Sequence, residues 1–261
     1  MKNRFGCYPC PMLTEALQYA ATSAVTPSEF HPFVRSSVSL WSRAGRCATD
    51  WGSHEENCKA FIRETVARMK QRRTVVVLGS GLLRDVPIDD LAAKFDTVVL
   101  VDLVHLASVR MRLKAKRFRN VRLISRDLSG FDDAAAAKVV EPLSFLRQVP
   151  YLDLVVSANI LSQIGVASKR RLEAENNPAR GEILQRLILA HLDGLAALPC
   201  KTALITDTAY RVTDRGGQVL EEADLLCGVP APPAKRAWTW PVAPYGELSK
   251  EYQAVHDVIA L

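Results

Sequence analysis

The sequence predicts an α/β protein: a doubly wound, mostly parallel seven-stranded sheet with a C-terminal antiparallel hairpin and an N-terminal helical layer. Three observations predict it. Apolar runs of strand length recur at 75–78, 97–101, 121–124, 152–157 and 202–206. Stretches with helical spacing separate them, and strands alternating with helices specify a parallel sheet covered on both faces, with right-handed crossovers. The last two apolar segments, 237–243 and 252–260, are joined by too short a connection for a helical crossover, so they pair antiparallel at the sheet edge.

Residues 13–24 are polar and apolar at helical spacing, and Pro27 and Pro32 then break the pattern. A second helix is expected over 54–70, where Cys58, Phe61, Ile62, Thr65, Val66 and Met69 recur at intervals of three and four. Residues 1–71 thus form a helical layer, longer than a lead into a strand requires and suited to covering a ligand, and residues 72–261 form the α/β domain. Within that domain the expected helices lie near 87–94, 104–117, 133–147 and 168–197.

With 261 residues and 48% apolar content, the chain buries a sizeable core, which excludes disorder for most of its length. Its apolar runs fall far short of the ~20 residues a bilayer demands. No apolar stretch follows MKNRFGCYPCPM, so neither a signal peptide nor membrane association is expected, and the location read from this is cytoplasmic. The formal charge of +6 comes largely from Arg110, Arg112, Lys114, Lys116, Arg117, Arg119 and Arg122, with Lys169, Arg170 and Arg171 as a smaller group. Such clusters grip phosphates or form solvated helix faces, and the lack of interleaved aromatics favours the second. Of the six cysteines, Cys7 and Cys10 have the gap of a metal knuckle, and His54 and Cys58 lie one helical turn apart. A matched second CxxC is missing, so no metal is expected.

Chemistry is concentrated from Thr74 to Leu103. Gly79-Ser80-Gly81 directly follows the first strand, where missing side chains let the backbone turn sharply and approach a ligand. Asp102 ends the second strand, where a carboxylate accepts hydrogen bonds from both hydroxyls of a ribose. A dinucleotide site asks for a third glycine, and that place holds Arg84. The third strand runs into Ser125-Arg126-Asp127-Leu128, which puts another acid at the carboxyl edge of the sheet, where open α/β folds bind ligands. The plain alternative for both acids is a helix cap or turn.

On these residues the chain resembles the class I S-adenosylmethionine-dependent methyltransferases, a Rossmann-like family. The resemblance covers residues 72–261 and rests on the order and spacing of the elements. It implies S-adenosylmethionine as cofactor. Gly79, Ser80 and Gly81 would pass its methionine and ribose part, Asp102 would hold the ribose hydroxyls, Leu103 would pack on the adenine, and Asp127 with the Leu128 backbone would meet the adenine amino group. The family's fourth strand and following loop match Asp153 to Asn159, and its terminal hairpin matches the two strands after Ala237. The chain departs from the family in having no acid before Gly79 and no third glycine, so Arg84, Asp85 or the N-terminal layer would hold the methionine end.

Methyl transfer asks an enzyme to position the acceptor and, where needed, take its proton. Asn159, Asp207 and Tyr210 stand on loops after the fourth and fifth strands, and His54 or His31 is a candidate base. Asn159 also serves as a candidate cofactor contact or a turn residue. Ile160 and Leu161 follow it, rather than the Pro-Pro-aromatic of many nitrogen-directed relatives, which counts against methylation of a nucleobase or amide by that route. His105 is placed beside the adenine or at the start of the next helix. Tyr8, Tyr19, Phe30, Phe33, Trp41 and Trp51, with Arg35, Arg43 and Arg46, suit either a lid over a planar or anionic acceptor or simple packing on the sheet. The expectation is a methyltransferase for a small-molecule acceptor, with an RNA-methylating variant on the basic surface. An NAD(P)-dependent oxidoreductase stays open, although no Tyr-x-x-x-Lys occurs, as does a non-catalytic binding protein. The acceptor, the atom methylated and the oligomeric state are not legible.

Overall fold

A computed structural model describes residues 11–261, so Cys7, Tyr8 and Cys10 lie outside the described residues. Three helices come first: α1 (Pro11–Ser23), α2 (His31–Arg46) and α3 (Ala48–Ala67). The α/β portion follows as β1 (Thr74–Leu78), α4 (Ile88–Lys94), β2 (Thr97–Asp102), α5 (Ala107–Ala115), β3 (Val121–Ser125) and α6 (Phe131–Ala135). Next come β4 (Leu152–Ala158), α7 (Ile160–Ala174), α8 (Arg180–Ala196), β5 (Lys201–Asp214), β6 (Val219–Asp224), β7 (Arg236–Ala243) and β8 (Tyr252–Ala260).

The sheet order is β3-β2-β1-β4-β5-β8-β7, with β6 on the outer part of β5. β1 to β5 pair parallel where they neighbour one another, and β8 lies antiparallel between β5 and β7. β1 is buried at every residue because helices cover both its faces. Val75 and Val77 face a core shared with Val34 and Val38 of α2 and with Cys58, Phe61, Ile62 and Val66 of α3. Val76 and Leu78 face the opposite core, built with α6, α7 and α8. Alternation along one strand therefore sorts the N-terminal helices to one side and the later helices to the other. Among the described residues no helix is long and apolar enough to cross a membrane.

Five local expectations need correction. Pro32 does not break the chain: it lies in the first turn of α2, where its missing N–H would have no helical partner. α3 begins at Ala48 rather than at 54. The helix expected over 133–147 shrinks to α6 and a single 3-10 turn at Ser144–Gln148, with Ala137 in the left-handed region (φ 54) just past α6. The long helix expected over 168–197 is two helices, parted at Asn176 (φ 50), Asn177 and Pro178, and the first of them already starts at Ile160. The sheet has eight strands: β5 runs on to Asp214 and returns as β6 through Arg215-Gly216-Gly217-Gln218. Gly217 adopts φ 83 there, and Asp214 Oδ1 accepts from the Gln218 amide at 2.8 Å. A Gly-Gly pair between two strand-forming runs is a hairpin signal that sequence reasoning had available.

One buried histidine makes the opposite core sensitive to acid. His191 on α8 is fully buried, with Nε2 2.9 Å from Ser157 Oγ, and burial pulls its pKa from 6.5 down to about 4. Below pH 6.5 the unfolded chain takes a proton that the folded chain refuses, so this contribution to stability falls as the pH drops toward 4. Between pH 7 and pH 4 the stability advantage of the wild type over His191→Gln should shrink by roughly 3 kcal/mol. Urea unfolding at both pH values measures it, and an unchanged difference would show that the fold admits the proton.

Candidate cofactor and acceptor site

The carboxyl edge of the sheet is built around the turn after β1. Gly79 (φ 72) and Gly81 (φ 46) both lie in the left-handed region. The Gly79 and Ser80 amides donate to Val101 O at 2.9 and 3.3 Å, which ties the loop to the end of β2. Asp102 completes the tie: Oδ2 accepts from the Gly81 amide at 2.7 Å and Oδ1 from the Leu103 amide at 2.8 Å. Loss of water around that carboxyl raises its pKa, against the lowering effect of these amides. Leu103 is half-buried against the core of the β1 side.

At the end of β3, Asp127 is exposed and its Oδ1 accepts from the Ser129 amide at 2.7 Å, a turn hydrogen bond. The Leu128 side chain points into the opposite core and is 3% exposed. His105 is also buried; its Nε2 lies 3.0 Å from Ile124 O, so it fastens the β2–α5 turn to β3. Desolvation lowers its pKa.

A second group gathers where β1, β4 and β5 end beneath α3. Asn159, at the start of α7 with φ 53, donates from Nδ2 to Asp85 Oδ2 at 2.7 Å. Its Oδ1 is buried without a partner. Asp207 on β5 accepts from Ser162 Oγ at 2.9 Å through Oδ2, and the same oxygen lies 3.2 Å from His256 Nδ1 on β8. His54 is 3% exposed. It stacks on Trp240 at 4.0 Å and accepts from Trp238 Nε1 at its Nδ1 at 3.1 Å, which leaves the proton of the neutral ring on Nε2. That Nε2 is 3.6 Å from Cys58 Sγ and 3.4 Å from Asn159 Nδ2. Burial outweighs the attraction of Asp207 and takes the His54 pKa down to about 4. The same desolvation pushes Asp85 up to about 6 and the Cys58 thiol up.

The remaining expected residues lie around this edge. Arg84 pairs with Glu55 of α3 at 2.5 Å. Tyr210 sits on the β5–β6 hairpin and hydrogen-bonds Glu221, with its ring 6.0 Å from that of His256. His31 lies apart, with Nε2 3.0 Å from Thr26 O. The fold therefore brings His54, Asn159 and Asp207 into one cluster and leaves Tyr210 at its rim. Sequence reasoning missed His256, Trp238 and Trp240, which register only as strand formers in β7 and β8. In the basic cluster, Lys116 pairs with Asp89, Arg110 donates to His105 O, and Arg122 donates to the carbonyls of Arg119 and Val121.

Beside the glycine turn, a cleft of about 510 Å³ opens between the N-terminal helices and the start of α5. Trp41, Leu82 and Val109 give it apolar walls, and Arg46, Arg84 and Arg112 also line it. Leu82 and Trp240 both pack against a small core of Ala44, Cys47 and Trp51, which joins the cleft wall to the tryptophan stacked on His54.

A parallel sheet ordered 3-2-1-4-5, closed by an antiparallel C-terminal pair and carrying a glycine turn and an acid at the ends of its first two strands, is a Rossmann-like, class I methyltransferase fold. No protein-family model and no curated protein matches the chain. Solved structures similar to it include a DhpI-SAM-HEP complex (14% identity, TM-score 0.40, covering 84% of this chain and 93% of that one). Another is a SAM-dependent methyltransferase from Aquifex aeolicus (11% identity, TM-score 0.32, covering 77% and 89%). The N-methyltransferase NodS from Bradyrhizobium japonicum, in complex with S-adenosyl-L-homocysteine, is a third (12% identity, TM-score 0.34, covering 78% and 85%). At such identities and TM-scores these likenesses carry no residue role and no activity to this chain.

Proposed function

We propose that the chain is an S-adenosylmethionine-dependent methyltransferase for a small-molecule acceptor. The observation that supports this most is the Asp102 carboxylate, held by the Gly81 and Leu103 amides at the end of β2. A carboxylate has about four acceptor positions. Two are taken by these amides, which leaves two for ribose hydroxyls. Gly79, Ser80 and Gly81 then border the methionine and ribose part, Asp127 and the Leu128 amide the adenine, and Leu103 its face. Arg84 and Asp85, in place of the usual third glycine and its neighbour, border the methionine end. The cofactor, when bound, supplies a methyl group on a sulfonium, open to in-line displacement.

The acceptor site of this reading is the 510 Å³ cleft, a size usual for small-molecule sites. Its tryptophan and leucine walls suit a flat acceptor, and Arg112 suits an anionic group on it, Arg84 and Arg46 being paired with Glu55 and Glu247. The base of this reading is His256. Its Nδ1 lies 3.2 Å from Asp207 Oδ2 without a hydrogen bond between them, whereas His54 is sealed from solvent and made a weak base by burial. The nicotinamide alternative meets Arg84 where its pyrophosphate loop needs a third glycine.

Calorimetric titration with S-adenosylhomocysteine, with NADH and NADPH in parallel, tests the reading. Micromolar binding of S-adenosylhomocysteine alone is the expected result. Binding of a reduced dinucleotide instead would make the chain an oxidoreductase, and silence from all three would favour a scaffold.

A further inference from the structure

We propose that His54, Cys58 and Asp85 form a binding site for a divalent transition metal, zinc by the chemistry of the donors. The site shares Asp85 with the methionine end of the methyltransferase reading but does not depend on that reading. It also reverses the expectation of no metal, by adding a ligand that the spacing of cysteines and histidines could not reveal.

The donor atoms of these three residues all lie within 4.8 Å of one another. α3 sets His54 and Cys58 four residues apart on one buried face, and the turn after Gly81 delivers Asp85 to the same point. Zinc holds nitrogen at ~2.1 Å and sulfur at ~2.3 Å, so in a tetrahedral site the two are about 3.6 Å apart. His54 Nε2 and Cys58 Sγ are separated by 3.6 Å. An imidazole, a thiolate and a carboxylate are a borderline-soft set of the kind zinc takes.

The charges close as well. A divalent cation with one thiolate, one carboxylate and one neutral imidazole sums to zero, which suits a site shielded from water. In the metal-free protein, burial keeps the Cys58 thiol protonated and the His54 ring neutral, so binding releases the thiol proton to solvent and moves the ring proton from Nε2 to Nδ1. Asn159 lies at the same point: its Nδ2 is 3.4 Å from His54 Nε2 and 3.9 Å from Cys58 Sγ, and its Oδ1 is buried without a hydrogen-bond partner. Its Nδ2 meanwhile holds Asp85 Oδ2 at 2.7 Å, the outer-shell bond that orients a ligating carboxylate. A water molecule fills the remaining position, as in three-ligand zinc sites. One contact must yield: Trp238 Nε1 donates to His54 Nδ1 at 3.1 Å and has to turn away once that nitrogen carries the proton. The loss of one neutral hydrogen bond is set against three metal–ligand bonds. A metal here staples α3 to the glycine turn and to the start of α7.

Cobalt(II) titration of the purified full chain, freed of metal with a chelator, provides the test. One equivalent should bind and produce the near-ultraviolet thiolate-to-cobalt absorption with the visible bands of a tetrahedral site, while tryptophan emission changes as Trp238 moves. The thiolate band should vanish in Cys58→Ser, and binding should weaken at least tenfold in Asp85→Asn. The wild-type titration stands even if a variant fails to fold. Absence of the thiolate band in the wild type overturns the proposal, and so does a band that survives in folded Cys58→Ser, which would place the metal on other cysteines.

Discussion

Asp102→Ala should weaken S-adenosylhomocysteine binding by 100-fold or more, the largest effect on ligand binding expected of any single side chain here. Two hydrogen bonds from ribose hydroxyls to a carboxylate are each worth about 1.5–3 kcal/mol, and 1.4 kcal/mol is a factor of ten. The alanine also removes the acceptor for the Gly81 and Leu103 amides, so the turn that borders the ligand loses its tie to β2. Asp102→Asn keeps one oxygen and should fall between alanine and wild type. Because desolvation raises the Asp102 pKa, acidification protonates this group before an exposed aspartate and should weaken binding as the pH falls. Calorimetry on folded variants, checked by circular dichroism, measures the loss. Binding within threefold of wild type in Asp102→Ala would remove the ribose role and leave Asp102 as a cap for the turn.

Gly79→Ala should carry the largest cost in stability, about 3 kcal/mol or more. A Cβ there would lie 2.7 Å from Ile160 Cβ and 2.8 Å from Ala158 O, and neither is the far end of a flexible side chain. The residue also sits at φ 72, which alanine adopts only with strain. For a chain of this size the loss corresponds to a fall in Tm of about 10 °C. Gly81→Ala is the contrasting case: its Cβ would meet nothing nearer than Gly79 O at 3.8 Å, so only the backbone strain at φ 46 remains, about 1 kcal/mol. Thermal unfolding of the two variants side by side decides the matter. Equal losses would mean that the loop near Ile160 relaxes and that steric exclusion is not what holds position 79.

Much of the fold was legible because its signals are local. The buried valine runs of β1, β2 and β4 announced parallel strands, and the positions of Gly79, Gly81 and Asp102 followed from where those strands end. Errors arose where a local signal had two readings. Pro32 reads as a breaker until its place in the first turn of a helix is known, and the stretch over 133–147 has helical composition but no continuous face to bury. Gly216 and Gly217, by contrast, mark the β5–β6 turn in the sequence itself.

The candidate site divides the same way. The sequence by itself determined the alternation of elements, the carboxyl edge of the sheet at which an open α/β fold offers a ligand site, and the acids at the ends of β2 and β3, because each depends on a periodicity or a strand end within a few residues. Only the tertiary structure decided that His54 lies against Asn159, 105 residues away, and accepts a hydrogen bond from Trp238, 184 residues away. It likewise decided that Asp85 reaches Asn159 across 74 residues, and that His256 meets Asp207 where β8 returns antiparallel beside β5. Contacts of that kind are set by strand order and by which face of a helix is buried. Neither quantity leaves a periodic mark on the chain between the partners.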